Sequence, residues 1–508
     1  MRWLRKLLPW IVIAASIAVI LYIPDLGPEK YTDFSAMFKH ERLRQANAGY
    51  SVAICKNGSI LYQESFGHDG LGQALAKDTP MYLGPSSEIL SGALLYSLAL
   101  QKKISLDDDI REYLPELPLS GVRRFMIVPQ PERFPSPSPI RQEEPITVRQ
   151  LASHSLGLSD QDLKEFGSKI SGLEAGIFDP EKYLRSRLQA GGALSRSRLV
   201  YRILGVAMEN ATKTSFDDLL QSRILIPLGM HGTTSMPDSL QGVAIGSGLF
   251  FGLSFPYDSR VPTIAAPADG IVTTAADIAK FLSYITAPPS KGIESLPSSS
   301  VAGLYQPLIP GGNTGFGWRI VSNEGDRLVF QGGSVEGFSS RVVIWPERNA
   351  GIAILSAQGG IMQSNIVLPL LTSASEKILF SGSSPRLFPL SRVLFVAGIS
   401  LLVYTVSLLL QTATAFSWTK TMLDRRETGK SNAYQHFIMI RTLSGIILRA
   451  ILLLLAPYLI GRLIGRQLMY HDLLTMEPGG TAFFIIVMTA GCLRNISRIT
   501  WFFHLQRG

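Results

Sequence analysis

Residues 81–116 read MYLGPSSEILSGALLYSLALQKKISLDDDIREYLPE, and this stretch decides the fold. Its apolar residues recur at helical spacing from Ile89 to Leu100, which predicts a long and largely buried helix. Two lysines follow the helix, and the run LDDDI then leads into a Tyr-Leu-Pro stop. The sequence therefore predicts a central buried helix with a defined end, around which the rest of the chain is arranged.

A β-hairpin is predicted upstream of this helix. Residues 49–67, GYSVAICKNGSILYQESFG, alternate apolar and polar side chains around Asn57-Gly58. Asn-Gly is the strongest short signal for a hairpin because both turn positions need a positive φ. The stretch therefore predicts two antiparallel strands joined by a tight turn.

Four further motifs follow the helix in order. They are residues 147–158 (TVRQLASHSLGL), 199–234 (beginning LVYRILG), 266–285 (APADGIVTTAADIAKFLSYI) and 315–355, which contains GFGW and IAIL. Asp277 in the third motif is expected to cap or order the start of a helix. The fourth motif is interpreted as paired strands, because its last residues alternate in an extended pattern.

Taken together, these motifs resemble the serine β-lactamase and penicillin-binding-protein superfamily, specifically its class C β-lactamase-like branch. The resemblance covers residues 33–360 and consists of several independent motifs in the same order. It implies an α/β fold of the α+β type, in which an antiparallel sheet is flanked by helices and joined by an all-helical subdomain. It also implies that His154, in the first of the four motifs, has a structural role.

The resemblance further implies an active site built from three groups of residues, which we call stations. In the superfamily a serine nucleophile is followed one helical turn later by a lysine, which shares its face of the helix. A tyrosine from a Tyr-x-Asn motif assists proton transfer, and a Lys or His followed by x-Gly completes the cleft. The positions of this chain that match the stations are Pro85 and Glu88, Arg196 and Arg198, and Gln331 and Gly333.

The residues at these stations predict a protein without a catalytic residue. Pro85 has neither a hydroxyl nor a backbone N–H, so the nucleophile and half of the oxyanion hole are lost together. Losing one oxyanion donor costs about 2.7–4 kcal/mol in known enzymes. Glu88 cannot replace a cationic lysine, and an arginine is permanently protonated and cannot act as a base.

Shifting the alignment does not restore a serine and lysine pair. Ser86 and Ser87 are followed at the third position by Ile89 and Leu90. A plain structural interpretation also fits, because proline at the first helical position and an acid in the first turn both stabilise a helix start. Ser86, Ser87 and Ser334 are therefore retained only as candidates for substrate binding.

One specific contact is predicted inside the cleft. The lysine and the tyrosine of the superfamily touch each other, and here an acid and a base take their places. We therefore expect an ion pair between Glu88 and Arg196 or Arg198. If that pair is buried, removing one partner leaves an unmatched charge and costs several kcal/mol.

Composition narrows the class of partner. The net charge is +9 and 46% of the residues are hydrophobic. The basic residues do not form stripes with interleaved aromatics, so no nucleic-acid partner is expected. Many of them flank apolar stretches, as in membrane proteins.

The two cysteines, Cys55 and Cys492, are not expected to pair. No cofactor and no metal site is expected.

The chain is predicted to combine an extracytoplasmic domain with membrane segments. Residues 1–23 predict a signal sequence or an uncleaved signal anchor, with the anchor favoured. The domain spans residues 24–380 and carries a Pro-rich exposed loop or insertion at 118–145. Residues 381–508 predict a membrane domain with about three transmembrane helices, at 393–410, 443–464 and 480–496.

Basic residues predict the orientation of these segments. The loop between the first two C-terminal spans and the C-terminal tail are rich in Lys and Arg. This places both termini in the cytoplasm and the large domain outside a bacterial cytoplasmic membrane. Arg449 interrupts the second span, where it either snorkels to the interface or marks a functional site.

Three functional hypotheses follow. The favoured one is a membrane-anchored pseudo-hydrolase that binds a peptide, a cell-wall fragment (muropeptide) or an active paralogue. The second is a working serine hydrolase or peptidase that acts on D-amino-acid-containing peptides or β-lactams through Ser86 or Ser87; the overall plan resembles membrane-bound peptidases that trim acylated D-amino-acid leaders from prodrug natural products. The third is a transport or assembly component whose membrane helices carry the function.

Overall fold

The computed structural model describes residues 28–115, 146–155, 198–250, 253–257, 266–288, 292–323, 326–335, 337–420, 432–464, 470 and 478–507. Three features predicted above lie outside these residues. They are the segment at 1–23, the Pro-rich stretch at 118–145 and Arg196.

An antiparallel sheet of six strands forms the centre of the domain, in the order β3-β2-β11-β10-β9-β8. Asn57 (φ 51°) and Gly58 (φ 77°) form the turn between β2 and β3, which confirms the predicted hairpin. The strands are β2 (Gly49–Lys56), β3 (Ser59–Gly67), β8 (Arg319–Asn323), β9 (Asp326–Val335), β10 (Phe338–Trp345) and β11 (Ala350–Ser356).

Three two-stranded sheets accompany the main one. Two of them join segments that are distant in sequence, and the third is a hairpin beside the turn between β9 and β10. They pair β1 (Lys30–Tyr31) with β12 (Ser384–Pro385), β4 (Met81–Tyr82) with β7 (Val272–Thr273), and β5 (Gly246–Phe250) with β6 (Leu253–Tyr257).

The α-helices lie on both faces of the sheet and at the C-terminal end of the chain. In the domain they are α1 (Phe34–Arg44), α2 (Ser87–Leu100), α3 (Val148–Ala152), α4 (Arg198–Thr212), α5 (Phe216–Leu220), α6 (Ala275–Ile285) and α7 (Leu368–Ser381). The C-terminal helices are α8 (Leu390–Ala413), α9 (Asn432–Ile464) and α10 (Pro478–Arg507).

The sheet separates two hydrophobic cores. Alternate residues of β2 point to opposite faces, so Ala53 and Cys55 join one core while Val52 and Ile54 join the other. The first core contains α2 and the helical part of the domain, and the second lies under α1 and α7. This arrangement confirms the predicted α+β type of fold, with an antiparallel sheet flanked by helices.

The predicted central helix is α2. It is buried over nearly its whole length, as its apolar pattern requires. Gly92 lets it approach the neighbouring chain closely, because a Cβ there would lie 2.4 Å from the backbone of Phe316. The helix therefore forms a fixed support for the residues at its N-terminus, which include the first station.

Asp277 orders the region around the start of α6, as expected. The N-cap itself is Thr274, whose side chain accepts a hydrogen bond from the backbone N–H of Asp277. The carboxylate of Asp277 accepts hydrogen bonds from Gly232 N at 2.7 Å and from Thr233 Oγ1 at 2.9 Å. One side chain thus joins the helix start to the preceding loop.

Two of the C-terminal helices are long and apolar enough to cross a membrane, judged by length and composition. The segments are Met439–Leu459 in α9 and Thr481–His504 in α10. They overlap the predicted spans at 443–464 and 480–496. The apolar part of α8, Gly398–Ala413, is shorter than these two. α10 packs against both α8 and α9.

Candidate functional site

The first station is a tight turn that precedes α2. Residues Gly84–Ser86 form a 3₁₀ turn with Pro85 at its start, and Gly84 has a φ of +55°. A Cβ at Gly333 would lie 2.6 Å from Cγ of Pro85. The proline ring therefore packs directly on the glycine of the third station, where a side chain would have no room.

The three serines retained as binding candidates all have internal hydrogen-bond partners. The hydroxyls of Ser86 and Ser340 are hydrogen-bonded at 2.7 Å, and Ser86 is fully buried. Ser87, also buried, accepts a hydrogen bond from Ile271 N at 3.1 Å.

Ser334 is engaged in the same way at the end of β9. Its hydroxyl donates to the carbonyl of Phe338 at 2.8 Å and accepts from Gly360 N at 2.7 Å. All three hydroxyls thus have partners inside the protein, and those of Ser86 and Ser87 belong to buried residues.

Glu88 joins the first station to the third. Its carboxylate accepts a hydrogen bond from Nε2 of Gln331 at 2.5 Å, and both side chains are buried. Nε2 of His154 lies 3.4 Å from the same carboxylate oxygen. The positions that match the superfamily's lysine and its Lys or His are thus occupied by an acid and an amide in direct contact.

His154 occupies an unusual backbone position just after α3. Its φ is +53°, and its N–H donates to the carbonyl of Leu151, so it closes the C-terminal end of the helix. Its buried ring also packs on Tyr201, with the ring centroids 5.5 Å apart. The side chain therefore fills the space between α3, α4 and the start of α2.

The predicted ion pair between Glu88 and an arginine of the second station stays a prediction. Arg196 lies outside the described residues, and Arg198 begins α4 with a side chain that is not described. The structure gives Glu88 two neighbours that the sequence did not assign, Gln331 and His154. The available signal was that a buried carboxylate needs polar neighbours, and Gln331 and His154 both belong to motifs that were already in the alignment.

One wall of the site is formed by the turn Ala266–Gly270. Ser91 of α2 donates a hydrogen bond to the carbonyl of Pro267 at 2.7 Å. Asp269 in the same turn is buried and lies 3.4 Å from Nη2 of Arg202 on α4. These contacts fix α4 and its N-terminal residues beside the central helix.

The fold agrees with a family comparison. The Beta-lactamase family model matches residues 34–372, two thirds of the chain. The chain belongs to the β-lactamase family. The match begins at the start of α1 and ends within α7, so the C-terminal helices lie outside it.

Several relatives share this family resemblance at low identity. Protein flp from Staphylococcus aureus (strain MRSA252) is 22% identical over 342 residues, which cover 65% of this chain and 64% of that protein. Beta-lactamase-like protein 4 from Dictyostelium discoideum is 20% identical over 391 residues, 69% of this chain and 64% of that protein. The chain thus spans less than two thirds of the length of these relatives.

The comparison with solved structures concerns the fold alone. The structure of SurE matches with a TM-score of 0.50 and 19% identity, and covers 69% of this chain and 75% of that one. The D-alanine carboxypeptidase AmpC from Burkholderia cenocepacia has a TM-score of 0.49 and 17% identity, over 73% and 99% of the two chains.

Among the described residues of this β-lactamase-family protein, no group of three or more His, Cys, Asp or Glu side chains could hold a metal ion. The polar groups that meet in the cleft are instead one carboxylate, one amide and one imidazole. Such a set can bind a ligand by hydrogen bonds and charge.

Proposed function

We propose that this protein is a membrane-anchored and catalytically inactive member of the β-lactamase family, which binds a peptide, a cell-wall fragment or a partner protein outside the cytoplasm. The observation that carries the proposal is the contact between Pro85 and Gly333. The resemblance assigns the position of Pro85 to the family's attacking hydroxyl, and the pyrrolidine ring there is packed against β9.

Loss of the backbone N–H supports the same conclusion. A proline cannot donate to an oxyanion, so the transition state of acyl transfer loses a donor as well as its nucleophile. The neighbouring hydroxyls of Ser86 and Ser87 are buried and hydrogen-bonded inside the protein. A hydrolase mechanism through either serine would need the turn to rearrange.

The charge at the first station favours one class of ligand over another. The family's lysine is a cation, whereas Glu88 brings a carboxylate that Gln331 holds in place. A negative charge there repels a free carboxylate on a bound molecule. We therefore expect ligands whose carboxylates are amidated or otherwise neutral to bind better than the free acids.

Membrane attachment is supported by α9 and α10, whose apolar segments are long enough to cross a bilayer. α10 also contacts β5, and Gly246 of β5 packs against Gly337 in the turn that ends β9. A membrane helix thus lies against the hairpin beside the cleft, which would keep the cleft close to the membrane surface.

Covalent probes test the absence of catalysis. The purified full-length protein in detergent is incubated with a fluorophosphonate probe and with a fluorescent penicillin, beside an active serine β-lactamase as positive control. We expect labelling no higher than that of the heat-denatured protein. Labelling of the native protein that disappears in the Ser86→Ala, Ser87→Ala double variant would overturn the proposal and establish the hydrolase alternative.

Ligand-induced stabilisation tests the binding role. Soluble muropeptides with amidated and with free carboxylates are added to the full-length protein, and the melting temperature is measured. Amidated fragments should raise it more than free acids, and Glu88→Gln should reduce the difference. Glu112→Gln, which neutralises an exposed acid elsewhere, is the matched control and should leave the difference unchanged. Equal shifts for both fragment types in the wild-type protein would contradict the assigned charge preference.

A further inference from the structure

A set of arginines lies on two of the C-terminal helices. Arg441 and Arg449 are on α9, and Arg494 and Arg498 are on α10. None of the helices α8, α9 and α10 contains an Asp or a Glu. Positive charge is therefore concentrated in a part of the chain whose helices supply no acidic side chain.

Two of these arginines converge on a single neutral atom. Nη1 of Arg494 and Nη2 of Arg498 both donate to Oε1 of Gln411 on α8, at 3.3 and 3.4 Å. The guanidinium of Arg498 also lies 4.3 Å from the ring centroid of Trp418. Two cations thus share one weak acceptor, and Nε of Arg498 is buried without a hydrogen-bond partner among the described residues.

A buried asparagine holds Arg494 in this position. Oδ1 of Asn495 accepts hydrogen bonds from Nε and Nη2 of Arg494, at 3.1 and 3.0 Å. Nδ2 of Asn495 donates in turn to the carbonyl of Thr442 on α9 at 3.1 Å. The arrangement links α9 and α10 and fixes the guanidinium, but every acceptor in it is uncharged.

Arg449 adds its charge from the neighbouring helix. Its guanidinium packs on Gly491 of α10, where a Cβ would overlap it, and Nη1 donates to the carbonyl of Gly445 at 2.8 Å. The side chain therefore lies between α9 and α10. Its positive charge and that of Arg441 both act on Arg494.

The cluster lies at the end of the helices that is remote from the domain. α8 begins at Leu390, directly after the domain, and Gln411 follows about 30 Å further along at a rise of about 1.5 Å per residue. This distance is close to the thickness of the hydrocarbon core of a bilayer, about 30 Å. If these helices cross a membrane as proposed, the arginines lie at the level of the phosphate groups of the far leaflet.

We propose that Arg494 and Arg498, assisted by Arg441 and Arg449, form a binding site for a phosphate group, supplied by the headgroup of an acidic phospholipid. A phosphate offers several charged acceptors in a geometry that matches guanidinium forks, which the single amide oxygen of Gln411 does not. Basic pockets between membrane helices attract acidic lipids in this way. The site is separate from the cleft, so the inference goes beyond the proposed function.

The test compares acidic and neutral lipids on the full-length protein. The detergent-solubilised protein receives phosphatidylglycerol or phosphatidylcholine, and bound lipid is counted by native mass spectrometry while the melting temperature is recorded. Phosphatidylglycerol should bind and stabilise, and phosphatidylcholine should not. The Arg494→Gln, Arg498→Gln variant should lose about thirtyfold in affinity, since each basic residue adds roughly fivefold.

Two control variants separate the site from general effects. Lys420→Gln removes one exposed positive charge outside the cluster and should keep the wild-type affinity. Arg494→Lys with Arg498→Lys keeps both charges but loses the guanidinium forks, so it should bind phosphatidylglycerol more weakly than the wild type and still prefer it to phosphatidylcholine, even if the glutamine variant unfolds. Equal binding of the two lipids, or wild-type affinity in the glutamine variant, would overturn the proposal.

A further arm identifies the source of the phosphate. Inorganic phosphate and pyrophosphate are added to the delipidated protein in detergent, in the absence of any phospholipid. Stabilisation only by phosphatidylglycerol supports the lipid headgroup as ligand. Stabilisation by the inorganic anions at micromolar concentration, with no preference for the acidic lipid, would refute a lipid site and assign the arginines to a soluble phosphate.

Discussion

At the scale of single residues, the hydrogen bond between Gln331 and Glu88 is the contact with the clearest energetic signature. Gln331→Leu removes one donor from a buried carboxylate, which should cost about 1–3 kcal/mol of stability. Replacing both residues by leucine removes the buried carboxylate as well. The double variant should therefore be more stable than the sum of the single losses, with a coupling of about 0.5–3 kcal/mol.

This cycle is measured by thermal unfolding of the domain, followed by intrinsic fluorescence in the full-length protein. The control is Glu64→Leu with Tyr62→Leu, a pair that lies 2.8 Å apart on the partly exposed strand β3. That pair should show a smaller coupling, because solvent replaces the lost partner. Strictly additive losses at Glu88 and Gln331 would show that the hydrogen bond does not form.

The contact between Pro85 and Gly333 predicts that a substitution at one residue can restore the stability lost by a substitution at the other. Gly333→Ala places a methyl group 2.6 Å from Cγ of the proline ring, so the variant should lose about 1–3 kcal/mol through overpacking. Pro85→Ala removes that ring, and the double variant should recover most of the loss. The test compares the melting temperatures of the two single variants and the double variant with that of the wild type. A Gly333→Ala protein as stable as the wild type would show that the two stations are not in contact.

Alkylation of the buried Cys55 thiol should report unfolding. Burial raises the pKa of its thiol to about 12, and Sγ donates to the carbonyl of Ala279. At pH 8 the reactive thiolate is then present at a fraction of about 10⁻⁴. In a Cys492→Ser background, iodoacetamide should leave the native protein unmodified and should alkylate Cys55 after urea unfolding, as mass spectrometry can record. Rapid modification under native conditions would contradict the burial.

The residue types at each station were predictable from the sequence, but the contacts between residues of different stations were not. The flanks of each motif identified Pro85, Glu88 and Gln331 as replacements. Glu88 and Gln331 are 243 residues apart in sequence, so only the assembled sheet brings them together. The sequence therefore assigned Glu88 an arginine partner from the same part of the family cleft and missed the amide.

At the scale of elements, Glu41 connects the beginning and the end of the domain. It is fully buried on α1 and accepts hydrogen bonds from Tyr31 Oη at 2.8 Å and from Leu387 N at 3.2 Å. Nε of Arg44 lies 3.2 Å from the same carboxylate. One side chain thus ties β1, α1 and the segment that leads into α8.

Removing this carboxylate should loosen the junction between the domain and the C-terminal helices. Glu41→Ala removes the buried acceptor that Tyr31, Leu387 N and the Arg44 cation share, and breaking a buried ion pair typically costs about 3–5 kcal/mol. The variant should melt earlier and should be cut faster by trypsin at Arg386. Lys39→Ala on the exposed face of α1 is the control and should stay within about 0.5 kcal/mol of the wild type. Unchanged cleavage at Arg386 would show that Glu41 does not hold the junction.

Elements with strong local signals were predictable from sequence, and those that depend on distant partners were not. The Asn57-Gly58 turn and the apolar period of α2 are written in consecutive residues, so the hairpin and the helix were predicted with correct positions. The two-residue strands β1 and β12 carry no periodic pattern. They exist because chain segments more than three hundred residues apart meet beneath α1.

At the scale of the whole molecule, the predicted orientation in the membrane can be tested with reporter fusions. Green fluorescent protein fused after Lys430 or after Gly508 should fluoresce, because those points are expected in the cytoplasm. Alkaline phosphatase fused after Glu477 should be active, because that loop is expected outside. The reciprocal fusions serve as controls, and an active phosphatase at Lys430 would reverse the predicted topology.

The order of motifs and the location of the apolar helices were predictable at this scale, because both depend on composition and spacing along the chain. The arginine cluster was not. Arg449 was noticed as a charge inside a span, but its relation to Arg494 and Arg498 arises only when α9 packs against α10.

The pairing of β2 with the late strand β11 has a consequence for biosynthesis. Its neighbour β11 begins at Ala350, so the ribosome must add roughly 300 residues before that strand exists, which takes roughly 15–60 s at about 5–20 residues per second. During this time the hairpin of β2 and β3 carries an unpaired edge of the kind that recruits other chains. We therefore expect a newly made molecule to be prone to edge-to-edge association until most of its polypeptide has been translated.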